Sequence, residues 1–149
     1  MRQARECWTV LARKASDQVQ HWQGQIAQSQ SRLAQLQASL QRLQRLYDEY
    51  RERQLQPQPA ALGMDGQMSQ RQFMAQLLQL QQRVQRDIAQ AESVLAQQRK
   101  SLLQAEAEHQ KMNTLAEQDA RAVQRERARF EQRRLDELAI ARFNLRPGH

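Results

Sequence analysis

Residues 56–66 read Gln56-Pro57-Gln58-Pro59-Ala60-Ala61-Leu62-Gly63-Met64-Asp65-Gly66, and they separate two long heptad tracts. Pro57 and Pro59 deny helical hydrogen bonds and push the residues before them toward extended geometry. Gly63 and Gly66 admit positive φ. Upstream, apolar and small residues recur at Trp8, Ala12, Ala15, Val19, Trp22, Ile26, Ser29, Leu33, Leu36, Leu40, Leu43, Tyr47 and Tyr50. The steps alternate between three and four residues, the seam of a left-handed coiled coil. Downstream the pattern resumes at Phe73, Leu77, Leu80, Val84, Ile88 (or Asp87), Ala91, Leu95, Leu102, Ala105, His109 and Met112. One break between two matched tracts predicts an all-α fold: a long antiparallel two-helix coiled-coil hairpin.

The expected bounds are helix one over about 3–55, a connection over 56–68 and helix two over about 69–143, in a single hairpin domain. The second helix is thus longer than the first. Ser69-Gln70-Arg71-Gln72 fits a capping box, and Met68 and Phe73 then take the positions of a hydrophobic staple. Folding about the connection pairs residue i with roughly residue 121−i, which puts Trp8 near Asn113. Helix two then overhangs helix one over about residues 120–143, where the apolar rhythm lapses. Arg121, Arg125, Arg127, Arg129, Arg133, Arg134 and Arg142 outnumber Glu126, Glu131, Asp136 and Glu137 there, a net charge of +3. Inside helix one, Gly24 follows Trp22 closely, and room for that indole is the expected reason for it. Ser29 is a polar seam position that either loosens the pairing or fixes its register.

Composition supports contact rather than chemistry. Aromatics are 5% of the 149 residues, too few to fill a wide core. The mean hydropathy of −0.92 would suit disorder, but the sustained heptads argue for helices. The net charge of +7 favours acidic partners, although acids and bases are interspersed along most of the chain. The single Cys7 excludes an intrachain disulfide, and beside Trp8 it reads as a packing residue. No apolar run approaches the roughly 18 residues of a membrane span. The segment Met1-Arg2-Gln3-Ala4-Arg5-Glu6 lacks an apolar signal core, so a cytoplasmic or peripheral membrane protein is expected.

No catalytic constellation is visible. There is no Gly-rich phosphate loop and no His-Glu-x-x-His. By the pairing rule His21 faces the region of residue 100 and His109 faces residue 12, and His149 is terminal, so no metal cluster forms. No enzyme activity, cofactor or metal is expected. Two surfaces remain as binding candidates. Near the connection, Phe73, Leu77, Leu80 and Val84, with Met74, Leu78 and Gln81 beside them, face Leu43, Leu46, Tyr47 and Tyr50. This apolar surface either packs internally around a wider seam or is exposed to dock a partner. The overhang is either a solvated helix laced by ion pairs or a segment that inserts into a partner through Phe130, Leu135, Leu138 and Phe143.

Three motifs add a resemblance. Leu43-Gln44-Arg45-Leu46-Tyr47-Asp48-Glu49-Tyr50-Arg51 resembles the Leu…Tyr-x-x-Glu-Tyr-Arg segment of the FliJ family of the flagellar type III export apparatus. Gln72-Phe73-x-x-x-Leu77-x-x-Leu80 is similar to the segment that opens that family's second helix. Arg133-Arg134-Leu135-Asp136-Glu137 is similar to its Lys/Arg-x-Leu/Met-Asp-Glu element. The order and spacing agree along nearly the whole chain, although the first family tyrosine aligns with Leu46 and a family polar position with Val84. The resemblance implies a soluble coiled-coil stalk and chaperone, similar to the rotor stalk of rotary ATPases. Its implied partners are the hexameric export ATPase, the cytoplasmic domain of the membrane export gate and export chaperones. Its implied place is the cytoplasmic face of the inner membrane.

Carried onto this chain, the gate-binding residues are Leu43, Leu46, Tyr47, Tyr50, Phe73, Leu77, Leu80 and Val84. The stalk analogy gives Arg125, Arg129, Phe130, Arg133, Arg134, Leu135 and Leu138 to the ATPase. Three alternatives stay open: the equivalent stalk of a virulence type III secretion system, a basic nucleic-acid-binding coiled coil, and a dimerising scaffold. A nucleic-acid binder predicts steep salt dependence, and the interspersed acids count against it.

Overall fold

A computed structural model describes residues 5–56 and 63–145. These residues form two α-helices, α1 over Glu6–Leu55 and α2 over Gly63–Asn144, and the second is much the longer. Two compact units are distinguished. One joins residues 22–101 around the connection, and the other joins residues 1–21 to residues 102–149. Within each unit a segment of α1 packs antiparallel on a segment of α2. The fold is an antiparallel two-helix coiled-coil hairpin. The prolines of the connection and the termini, with His149, lie outside the described residues.

On α1 every seam position read from the sequence is half-buried or buried, from Trp8 to Tyr50. On α2 the seam positions Gln70, Met74, Leu77, Gln81, Val84, Ile88, Ala91, Leu95, Gln98, Leu102, Ala105, His109, Met112, Ala116, Asp119 and Val123 are all buried or half-buried. Their steps alternate four and three without a break. The core is narrow: Ala15, Met74, Leu77, Ala91, Leu95 and Val123 are its buried apolar residues. A two-stranded coil buries one stripe per helix, so most of each helix surface stays in water.

Five expectations are corrected. The α2 helix starts at Gly63, not at Ser69, which lies inside it. Gly63 takes φ 59°, a left-handed conformation that glycine adopts without steric cost, and Asp65 in the first turn complements the helix dipole. Met68 is exposed, and Phe73 packs on Tyr50 instead of serving as a staple. The register also shifts by about three residues. Arg5 meets Asp119 in one unit, and in the other Leu43 meets Gln81 and Tyr50 meets Phe73, so paired residue numbers add to 123 or 124, not 121.

Near the connection, Phe73 and Leu80 leave the seam, and Met74 and Gln81 occupy it. The apolar reading of Leu80, Val84 and Ile88 required two successive steps of four. The structure keeps the alternation and accepts a glutamine in the seam instead. Gln81 Nε2 donates a hydrogen bond to the Leu43 carbonyl at 3.3 Å, which satisfies part of the amide where it is enclosed. Finally, a Cβ built on Gly24 would meet nothing within 4 Å, so the glycine makes no room for an indole.

Candidate functional site

The sequence pointed to two surfaces. The first lies in the unit around the connection. Leu77 is only 3% exposed, so its side chain is spent on holding the helices together. Leu43, Leu46, Tyr47, Tyr50 and Val84 are half-buried, each with an edge in water. Phe73 and Leu80 are 37% and 46% exposed. The Tyr50 and Phe73 rings lie with centroids 4.9 Å apart and planes tilted by 56°. Offset, tilted aromatic pairs of this kind contribute about 0.5–1.5 kcal/mol beyond their buried area. The Arg53 guanidinium carbon sits 5.3 Å from the Tyr50 centroid, within cation–π range. Seven of the eight residues are thus gathered at a partly wet aromatic–aliphatic surface, and the eighth supports it from beneath.

The two sides of the seam in this unit differ. On one flank, seven-residue spacing aligns Leu46, Ser39, Arg32 and Gln25 along α1 and Phe73, Leu80, Asp87 and Val94 along α2. Leu46, Ser39, Gln25 and Asp87 are half-buried there. On the other flank Gln23, Gln30, Gln37 and Gln44 face Leu78, Gln85 and Glu92, and all are exposed. The first flank holds a cleft of about 170 Å³ lined by Ser29, Arg32, Asp87, Gln90, Ala91 and Val94. The sequence reading did not find this flank. The signal was present: the same heptad letter recurs at Phe73, Leu80 and Val94, but only once the seam register is fixed.

The second surface is the C-terminal part of α2. Val123, 4% exposed, is the last enclosed residue, and every residue from 124 to 145 is exposed. Arg125, Arg129, Phe130, Arg133, Arg134, Leu135 and Leu138 all fall in this stretch. Phe130 is one heptad past Val123 and extends the seam line, while Leu138 lies a further turn or two along beside it. Leu138 and Leu145 remain 53% and 82% exposed. Within the stretch, Gln132 Nε2 donates a hydrogen bond to Asp136 Oδ1 at 3.1 Å on one helix face.

Where that stretch begins, sequence reasoning missed Asp119. It is a charged residue at a seam position and only 9% exposed. Its Oδ2 accepts a 2.7 Å hydrogen bond from the Arg5 backbone N–H, immediately before α1. A carboxylate there satisfies a donor that the helix start leaves open and complements the positive end of the dipole. Continuing the four–three rhythm past Met112 would have placed it.

Among the described residues no group of three His, Cys, Asp or Glu side chains could hold a metal ion, and no helix is long and apolar enough to cross a membrane. His109 is half-buried in the seam, and Cys7 is exposed rather than packed.

The fold defines a class: an all-α, antiparallel two-helix coiled-coil hairpin protein. The family model for the flagellar FliJ protein matches residues 9–148, and the chain belongs to that family. It is therefore a coiled-coil protein associated with flagellar type III protein export. No match was found among curated proteins or solved structures.

Proposed function

We propose that this protein couples the flagellar export ATPase ring to the membrane export gate, and that it also serves export chaperones. The observation that carries the reading is the stretch 124–145. A helix that leaves Phe130, Leu135, Leu138 and Phe143 in water has apolar surface to give to another protein. Its arginines suit an acidic collar, and the interspersed acids disfavour a simple polyanion. The ATPase contact falls on Arg125, Arg129, Phe130, Arg133, Arg134, Leu135 and Leu138. The gate contact falls on the surface near the connection, with Tyr50, Phe73 and Leu80 as its exposed centre and Leu77 as its support. The protein acts at the cytoplasmic face of the inner membrane, without a covalent step of its own.

The test is ATPase turnover and ring assembly of the organism's flagellar export ATPase, with the full chain and with a chain ended after Val123. Stimulation by the full chain that is lost on truncation supports the reading. No stimulation and no co-elution would remove the ATPase role.

A further inference from the structure

We infer that the unit of residues 22–101 holds two helix registers. One is the register observed. In the other, α1 has moved half a heptad along α2, so that Ser29 meets Gln98 and Leu33 meets Leu95. The inference concerns the hairpin itself and does not depend on which partners it binds.

The observed register is mismatched at one place in the seam. Gln81 bonds to Leu43, and Ser29 shares a cleft with Ala91 and Val94, so paired residue numbers add to about 124. On that count Leu95 lies level with Ser29, and Gln98 with Ile26. A polar residue thus answers an apolar one twice in succession. The Gln98 side-chain oxygen is buried there and has no hydrogen-bond partner. An enclosed acceptor without a donor forfeits the bond it makes to water in the unfolded chain. Beside it the seam is underfilled, with a cleft of about 170 Å³.

Moving α1 by half a heptad removes both mismatches. Paired numbers then add to 127 or 128, because a heptad seam steps by three and four. Leu95 falls opposite Leu33, and Gln98 opposite Ser29, whose hydroxyl can donate to the amide oxygen. The neighbouring seam is indifferent to the change. Val84, Ile88 and Ala91 exchange Leu40, Leu36 and Leu33 for Leu43, Leu40 and Leu36. A slide the other way sets Gln98 against Trp22 and leaves Ser29 against Ala91. The two polar residues therefore meet by the first movement alone.

In return, the observed register has the bond from Gln81 Nε2 to the Leu43 carbonyl, which at 3.3 Å is long for an amide donor. One polar contact thus stands against another, and the apolar pairs are of equal kind. Two packings so closely matched are both populated. The slide measures about 5 Å along the helix axis. Residues 56–62, between the helices, reach up to about 25 Å and permit it. A partner that binds one register more tightly shifts the population by that difference in affinity.

The experiment is double electron–electron resonance on the full chain. Spin labels go on Gln28→Cys and Gln79→Cys, both exposed, in a Cys7→Ser background. In the observed register these positions are separated by about 25 Å along the axis, and the slide lengthens that by about 5 Å. Expected are two distances that differ by about 5 Å. Ser29→Ala and Gln98→Leu should each reduce the longer one about fivefold, the worth of one hydrogen bond. Ser31→Ala, exposed and off the seam, is the control and should leave the ratio unchanged. Ser29→Ala decides the matter if Gln98→Leu fails to fold. A single distance in the labelled parent would overturn the second register. So would a gain in thermal midpoint from Gln98→Leu with no change in the distances, since Gln98 would then be a packing defect alone. A second distance shorter than the first would mean the opposite slide and would overturn the meeting of Ser29 with Gln98.

Discussion

The unit around the connection and the stretch 124–145 have similar residues and opposite fates. Both carry leucines, phenylalanine and arginines at helical spacing. In the first, Leu77 and Leu95 are 3% and 5% exposed because a second helix covers them. In the second, Phe130 and Leu138 are more than half exposed because α1 ends before reaching them. The same composition is buried where a partner helix exists within the chain and stays in water where it does not. The presence of a second helix, not residue type, separates the two regions.

The largest effect should come from the covered side. Leu77→Ala removes a side chain enclosed between the helices and should cost about 2–4 kcal/mol, read as a lower urea midpoint by circular dichroism. A change of under half a kilocalorie would mean that the seam near the connection is not packed as described. Asp119→Ala deletes the acceptor for the Arg5 N–H and should cost about 1–2 kcal/mol. Faster hydrogen exchange in the first turn of α1 would localise that loss. Next comes a gain: Gly24→Ala sits in open space inside a helix and should stabilise by about 0.5–1 kcal/mol. Loss of stability there would mean that something approaches the position after all. The smallest stability effect belongs to the uncovered side. Phe130→Ala should leave stability within about 0.5 kcal/mol yet weaken stimulation of the export ATPase. A large drop in thermal midpoint would sink the contrast, because it would show that Phe130 packs within the chain.

Much of this was legible beforehand. The α1 seam from Trp8 to Tyr50 followed from spacing, since a heptad repeat fixes which face meets a partner. The existence of one connection followed from Pro57 and Pro59. The lapse of packing in the C-terminal stretch followed from the unequal lengths of the tracts. What misled was hydrophobicity itself: Phe73 and Leu80 looked like seam residues, and Gln81 did not. The capping box at Ser69 misled for a related reason. A local signal is only one contribution to where a helix starts; once a helix is nucleated each further residue adds a backbone hydrogen bond, and α2 begins at Gly63.

By itself, the sequence determined an all-α antiparallel hairpin with one break and two unequal arms, because proline placement and heptad rhythm are local and periodic. Only the tertiary structure decided the register of pairing, the caged carboxylate of Asp119 and the flank on which Phe73, Leu80 and Val94 emerge. Those depend on which residue lies opposite which. A slide of three residues leaves each helix's own pattern almost unchanged while it replaces every contact between them.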